Sequence, residues 1–256
     1  MPLPTFVIAG AQKCGTTSLS EALRKHREIH ISRPKELHFF DRRYRRGLEW
    51  YESQFTPRPH HRQVGEATPA YMYDPVARER LGATLPEARI LVILRNPVDR
   101  AYSHYWHKRR LGDETLETFE EAIEAEPERR ARDQVKKRIG FAYVDRGHYA
   151  SQVEALFANH GRERVHVLLL DDVSRDQVGT MRAVLEFLGV DPQPAEHLEF
   201  PRSNKYRVVD ESGAQAAAAY TPMSPETRAR LTEHYTESNE RLAELIGRDL
   251  SSWLKP

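Results

Sequence analysis

The sequence predicts an α/β fold in which a central parallel sheet is flanked by helices. Short apolar runs, typical of buried parallel strands, alternate with helical patterns along the 256-residue chain. A glycine-containing loop joins the first of these strands to the first helix. Since no repeat or clear linker interrupts the order, we expect a single domain over residues 1–256.

The first half of the chain supplies most of the predicted sheet. Residues 6–9 and 90–94 are continuous apolar runs, and weaker strand patterns lie at 29–31 and 63–68. Helical spacing predicts helices over 17–26, 47–55, 75–85 and 97–110. Two of these begin with Pro75 and Pro97, which suit the first turn of a helix.

The second half of the chain is mostly helical in pattern. We expect helices over 115–126, 149–160, 178–188 and 225–246, and one strand over 165–170. Gly189 ends the third of these helices. The highly charged residues 127–140 form either a lid or a solvated helix, and 200–220 are irregular apart from a short alanine run.

Charge and cysteine content exclude several classes of protein. The 39 basic and 38 acidic residues leave a net charge of +1, which gives no argument for a nucleic-acid partner. No stretch approaches the roughly 20 apolar residues of a membrane span, and the start of the chain lacks the pattern of a signal peptide. The single cysteine, Cys14, suits a reducing compartment. We expect a cytoplasmic protein and leave its oligomeric state open.

The loop from Gly10 to Thr17 has the glycine spacing of a phosphate loop, between a strand and a helix. Glycines let the backbone fold around an anion, and amides at the helix start point towards it. However, Thr16 follows Gly15 where nucleotide triphosphatases have lysine, and Lys13 stands two residues before that glycine. An ATPase or kinase and a glycine turn without a ligand are the alternatives.

A second candidate anion site follows the strand at 90–94. Arg95 stands at the carboxyl end of this strand, where open α/β sheets bind ligands. Ser103 lies eight residues further on, about two helical turns away. The alternative is an arginine that caps the sheet and a serine on a helix surface. Two separated anion sites indicate a ligand with two separated phosphates.

The segment Ala-Gly-Ala-Gln-Lys-Cys-Gly-Thr-Thr-Ser-Leu, residues 9–19, resembles the 5′-phosphosulfate loop of PAPS-dependent sulfotransferases. PAPS is 3′-phosphoadenosine 5′-phosphosulfate. The similar branch contains heparan sulfate N- and 3-O-sulfotransferases and their bacterial relatives. The resemblance implies the P-loop-like sulfotransferase fold and transfer of a sulfuryl group from PAPS to a hydroxyl or amine. The products are PAP and a sulfated acceptor, and no metal is required.

This resemblance also implies roles for individual residues. Lys13 contacts the transferring sulfuryl group, while Arg95 and Ser103 bind the 3′-phosphate, because an arginine fork suits a phosphate. A loop closing over the adenosine would contain Lys205 and Arg207. The residues implied at the 5′-phosphate are Gln12, Lys13, Cys14, Gly15, Thr16, Thr17 and Ser18.

Residues 32–41 resemble the Glu-Val-His-Phe-Phe segment of the 3-O-sulfotransferase type, whose glutamate is the general base. The resemblance assigns that role to Glu36, which would take the acceptor's proton during attack on sulfur. Lys13 would offset charge on the departing phosphate oxygen. His38 is the rival base, and a histidine packed beside Phe39 and Phe40 is the other interpretation.

Residues 66–71 match the family's Glu-Lys-Ser/Thr-Pro-Ala-Tyr segment, which makes Glu66 and Tyr71 candidate substrate-binding residues. The lysine often found after the glutamate is Ala67 here, so one contact to the sulfuryl or acceptor end is missing or supplied elsewhere. The acceptor could be a carbohydrate, a lipid or a small metabolite. A non-catalytic nucleotide-binding module is a further alternative.

Overall fold

The computed structural model describes residues 3–131, 140–201 and 222–256, together with the backbone of 207–209 and 215–217. The chain divides into two compact units. The first contains Met1–Arg95 and Ser151–Pro201, and the second contains Asn96–Ala150 and Arg202–Pro256. The single domain expected over 1–256 stays a prediction.

A five-stranded parallel sheet forms the centre of the first unit, with the strand order β2-β3-β1-β4-β5. In register, Val7 of the central strand lies opposite Glu66 on one side and Ile90 on the other. Every residue of that strand is buried. The predicted central parallel sheet is confirmed. Its strands are β1 (Phe6–Gly10), β2 (Ile29–Ile31), β3 (Gln63–Ala67), β4 (Arg89–Leu94) and β5 (Val165–Leu169).

The helices start and end close to where the sequence predicts them. Asp74 and Asn96 cap the helices that open with Pro75 and Pro97, because each side chain accepts a bond from a first-turn amide. The helices are α1 (Thr16–Arg24), α2 (Gly47–Glu52), α3 (Pro75–Thr84), α4 (Pro97–Arg110), α5 (Phe119–Glu124), α6 (Glu126–Ala131), α7 (Tyr149–His160), α8 (Leu170–Arg175), α9 (Gln177–Leu188) and α10 (Pro225–Ile246). Among the described residues, no helix combines the length and the apolar character that a membrane crossing requires.

The second unit is helical, with an apolar core between α4, α5 and α10. Tyr105, Phe119, Tyr143 and Tyr235 are the large buried side chains of this core. Beside it, the fully buried guanidinium of Arg100 donates to the carbonyl of Tyr143. This core packs the long helix α10 against α4 and α5.

The largest differences from the predicted elements lie in the second half of the chain. Helix α5 begins at Phe119, later than expected, because Thr118 and Glu121 form a capping box. Helix α8 follows β5 at once, so the strand ends at Leu169 and a short helix had been missed. The prediction of irregular structure over 200–220 was partly wrong, since β6 (Arg207–Val209) and β7 (Gln215–Ala217) pair antiparallel. Within 127–140, the described residues to Ala131 are helical.

Candidate active site

The candidate residues of the first unit follow the carboxyl ends of its parallel strands. The phosphate loop follows β1, the segment with Glu36 follows β2, the segment with Tyr71 follows β3, and Arg95 follows β4. Ligands of open α/β sheets bind at this edge. The topology therefore brings to one edge four segments that are far apart in the sequence.

The phosphate loop folds back onto the sheet before α1 begins. The Ala11 amide donates to the carbonyl of Ile93 on β4, at 2.9 Å, and the Cys14 amide donates to the carbonyl of Ala11, at 3.2 Å. Lys13 and Gly15 have left-handed backbones, with φ of 70° and 100°. Glycine adopts this conformation easily, whereas at Lys13 it is a strained conformation that the surrounding loop imposes.

The start of α1 is suited to an anion. Gly15 is the N-cap, so no side chain caps the helix, and its described first turn contains no acidic residue. The first amides and the positive end of the helix dipole are thus available to a phosphate. Cys14, Thr16 and Ser18 are buried, while Gln12, Lys13, Gly15 and Thr17 are half-buried. The binding of a 5′-phosphate by these residues stays a prediction.

The segment after β2 is a strained turn. Glu36 and His38 have φ of 63° and 51°, and together with Lys13 they are the non-glycine residues of the described chain with positive φ. The Glu36 amide donates to the carbonyl of Ala67 at 3.1 Å, which holds the turn against β3. Strained non-glycine residues cluster at functional sites, and all three here are predicted catalytic residues.

The carboxylate of Glu36 is flanked by two hydrogen-bond donors and remains accessible. Lys35 Nζ lies 2.7 Å from Oε1 and His38 Nε2 lies 3.4 Å from Oε2, while 43% of the side chain stays exposed. Burial raises the pKa of Glu36, but the hydrogen bond from His38 and the Lys35 cation outweigh it and lower the pKa to about 2. Glu36 is therefore ionised at neutral pH.

His38 bridges two carboxylates. Its Nδ1 lies 2.8 Å from Asp41 Oδ2, and the Asp41 side chain is only 3% exposed. Burial lowers the pKa of His38, but the bonds to Asp41 and Glu36 raise it more, so the net shift is upward. The neighbouring Phe39 stacks on Tyr51, with ring centroids 4.3 Å apart. The choice between a base and a histidine packed beside Phe39 and Phe40 stays a prediction. The sequence analysis did not assign Asp41 as the partner of His38, although a carboxylate three residues after a histidine can reach it within one helical turn.

Glu66 lies at the end of β3 and is fully buried, with 0% of its surface exposed. Three hydroxyls bond to it: Tyr51 at 2.5 Å, Thr68 at 2.7 Å and Tyr71 at 3.1 Å. Burial raises the pKa of Glu66 to about 7, against the lowering effect of these bonds. Tyr71 and Ala67 are also 0% exposed. Neither Glu66 nor Tyr71 has exposed surface here, and their contact with an acceptor stays a prediction.

Residues 3–228 match the model of the sulfotransferase domain. The chain belongs to the sulfotransferase family. The predicted family, the sulfotransferase fold and the assignment as an enzyme are confirmed.

Two relatives resemble this sulfotransferase along its whole length. The bifunctional heparan sulfate N-deacetylase/N-sulfotransferase 3 of Homo sapiens is 31% identical over 99% of the chain, which spans only 31% of that larger protein. A sulfotransferase structure from Alicyclobacillus acidocaldarius is 33% identical, covers 100% of both chains and has a TM-score of 0.82. A mouse sulfotransferase complexed with PAP covers 92% of this chain and 83% of its own at 16% identity, and its TM-score of 0.56 shows a shared fold.

The two residues predicted to bind the 3′-phosphate belong to different units. Arg95 is a half-buried residue of the first unit, and Ser103 is a half-buried residue of α4 in the second unit. Their convergence on one phosphate stays a prediction. Lys205 and the side chain of Arg207 lie outside the described residues.

Proposed function

We propose that this sulfotransferase transfers the sulfuryl group of PAPS to a hydroxyl or amine and releases PAP. The observation that carries the proposal is the position of two groups at one edge of the sheet. These are the uncapped start of α1, which suits a phosphate, and the accessible ionised carboxylate of Glu36. An anion site beside a proton acceptor is what the transfer requires.

The phosphate loop would hold the 5′ end of the nucleotide. The loop amides and the Thr17 hydroxyl bind the 5′-phosphate, and the Lys13 ammonium offsets the negative charge that develops on the departing phosphate oxygen. Arg95 and Ser103 bind the 3′-phosphate in this proposal, and Lys205 and Arg207 cover the adenosine. Sulfotransferases use PAPS as their donor, and the PAP-bound mouse structure supports the same nucleotide here.

Glu36 accepts the proton of the attacking group. The bond from sulfur to the phosphate oxygen breaks, a bond from sulfur to the acceptor oxygen or nitrogen forms, and the acceptor's proton passes to the Glu36 carboxylate. A carboxylate with a low pKa is a weak base, but the attacking group becomes more acidic as it bonds to sulfur. The raised pKa of His38 favours its protonated form, which donates and does not accept, so we assign the base to Glu36 and not to His38.

The acceptor is proposed only as a chemical class. A hydroxyl or amine of a carbohydrate, a lipid or a small metabolite satisfies the reaction equally. The human relative is named for N-sulfation of heparan sulfate, so an amine on a sugar polymer, N-deacetylated heparosan, is the first acceptor to test.

Calorimetric titration in EDTA tests the nucleotide assignment. We expect PAP to bind without magnesium, and Lys13→Ala to weaken the binding of PAPS relative to Lys25→Ala, a matched control at an exposed lysine beyond α1. Binding that requires ATP and magnesium would transfer the assignment to a kinase or ATPase.

A further inference from the structure

We propose that Glu66 is a positioning residue whose buried carboxylate holds the Glu36–His38 turn in its reactive conformation. The proposal rests on the proposed function, because it concerns the turn that carries the base. Glu66 does not reach the surface, so it acts through the hydroxyls that bind it.

Two of these hydroxyls connect Glu66 to the turn. Tyr71 Oη donates to Glu66 and accepts from the amide of Phe39 at 2.8 Å. Thr68 Oγ1 donates to Glu66 and accepts, at 3.4 Å, from the amide of His38. The carboxylate is therefore linked to consecutive backbone amides of the turn, each through a single side chain.

The direction of these hydrogen bonds depends on the charge of Glu66. A hydroxyl has one proton to donate, and an ionised carboxylate can only accept. Above a pH of about 7, where Glu66 is ionised, each hydroxyl must therefore aim its proton at Glu66 and present its lone pairs to the amides of the turn. An amide or a protonated acid at position 66 can itself donate, so it permits the hydroxyls to turn away.

The turn needs such a constraint, because Glu36 and His38 both have left-handed backbones that non-glycine residues rarely adopt. Released from the amide contacts, the turn can relax and separate His38 from Asp41 and Glu36. The groups that face Glu66 are Tyr51 from α2, Thr68 and Tyr71 from the segment after β3, and the charge of Asp41 from the turn itself.

The His38 titration followed by NMR in the absence of nucleotide tests the proposal. His38→Gln identifies the resonance among the 12 histidines. In Glu66→Gln we expect the raised pKa of His38 to return towards its usual value of 6.5. Glu49→Gln, at an exposed carboxylate of α2, should leave it unchanged. An unshifted His38 titration in a folded Glu66→Gln protein would overturn the proposal.

A rate measurement provides the second arm. Conversion of PAPS to PAP and sulfate, with water as the acceptor, should slow about 10-fold or more in Glu66→Gln, with PAP affinity unchanged. In a Glu36→Gln background the same change should have no further effect, since both act on one base. If Glu66→Gln fails to fold, Tyr71→Phe removes one of the two links to the turn. Its His38 pKa and its rate of PAPS conversion should then lie between those of the wild type and those expected for Glu66→Gln. Lack of any PAPS turnover in the wild type contradicts the proposed function and leaves the NMR result valid.

A separate observation indicates a second anion site, and we infer that a cavity beside β2 binds an oxyanion of the sulfate or phosphate class. The cavity measures about 390 Å³ and is lined by Arg24, His30, Arg33 and His61, with no carboxylate among its described lining residues. Arg24 is paired with Glu21, but Arg33 is exposed and makes no ion pair within the described chain.

Backbone amides determine which ring nitrogen carries the proton in the two histidines of this cavity. The Thr56 amide donates to His30 Nε2 at 3.2 Å, and the Arg58 amide donates to His61 Nδ1 at 2.7 Å. A ring nitrogen that accepts carries no proton, so the other nitrogen of each neutral ring is an N–H donor. Two N–H donors and the Arg33 guanidinium match the acceptor oxygens of an oxyanion.

Titration of inorganic sulfate and phosphate into PAP-saturated protein tests this site, because the nucleotide loop is then blocked. We expect saturable shifts of the His30 and His61 resonances, weakened at least 5-fold in Arg33→Ala and unchanged in Arg27→Ala, an exposed arginine outside the cavity. Tighter binding of a sugar sulfate or phosphate would show that the anion belongs to an organic ligand. Shifts that do not saturate, or that Arg33→Ala leaves alone, would mean an adventitious ion only.

Discussion

Two glutamates at the ends of neighbouring strands have opposite environments. Glu36, after β2, is 43% exposed between Lys35 and His38, and its pKa falls to about 2. Glu66, at the end of β3, is fully buried among hydroxyls, and its pKa rises to about 7. At neutral pH the Glu36 carboxylate is thus ionised and accessible, whereas the buried Glu66 carboxyl is partly protonated. These surroundings suit Glu36 to accept a proton and Glu66 to position the turn that carries Glu36.

The cause of the difference is the balance between lost water and new partners. At Glu66, neutral hydroxyls replace hydration only in part, so the charged form is penalised. At Glu36, a cation and an imidazole contribute more than burial costs.

The largest expected effect is on catalysis, from Glu36→Gln. Loss of the general base should lower the rate of PAPS conversion about 10²- to 10⁴-fold, because that is the range general bases contribute. The affinity for PAP should stay unchanged, since Glu36 lies outside the phosphate loop. Steady-state rates and calorimetry check this. A variant with full activity would remove Glu36 from the role of base.

The next effect is on stability and depends on pH. Glu66 keeps its proton to about pH 7 in the folded chain but only to about 4.5 when unfolded. Unfolding therefore releases a proton between these values, and the stability that Glu66 contributes falls as the pH rises. The fall amounts to about 3 kcal/mol.

Denaturant unfolding of wild type and Glu66→Gln at pH 5 and pH 7.5 measures the contribution of Glu66. It appears as a pH-dependent difference between their free energies of unfolding. Glu49→Gln is the matched control. A constant difference across the pH range would show that Glu66 ionises normally.

Tyr51→Phe should have a smaller effect of the same kind. It removes one hydroxyl that bonds to the charged form of Glu66, at a cost of about 1.5–3 kcal/mol once Glu66 is ionised. The pKa of Glu66 should rise further, so the loss should be greater at pH 8 than at pH 5. Equal losses at both pH values would point to lost packing alone.

The smallest effect is expected from Lys35→Met. Because Glu36 is exposed, its ion pair with Lys35 contributes only about 0.2–1 kcal/mol. The pKa of Glu36 should rise, and the acid limb of the rate profile should move to higher pH. Rates between pH 3 and pH 7 provide the check, and an unmoved acid limb would show that His38 alone sets the charge of Glu36.

The sequence predicted the parts of the site that depend on local pattern. The loop between β1 and α1 and the strand before Arg95 follow from glycine spacing and apolar runs. Glu36 came from resemblance. The Asp41–His38 pair and the burial of Glu66 did not follow, since both depend on how distant segments pack. Tyr51 is 15 residues from Glu66, and nothing in its own surroundings marks it as a partner. The pair β6 and β7 was missed because Gln-Ala-Ala has little strand propensity.

We predict that a sulfuryl group leaves PAPS at this site without a metal. The most direct measurement follows ³⁵S-labelled PAPS with wild-type protein in EDTA, in the presence of N-deacetylated heparosan, 2-naphthol or an aliphatic alcohol. We predict one PAP formed for each label that appears in a sulfated acceptor, or in inorganic sulfate when water is the only acceptor. PAPS that stays intact throughout, on protein shown to be saturated with it, would contradict the proposed sulfuryl transfer.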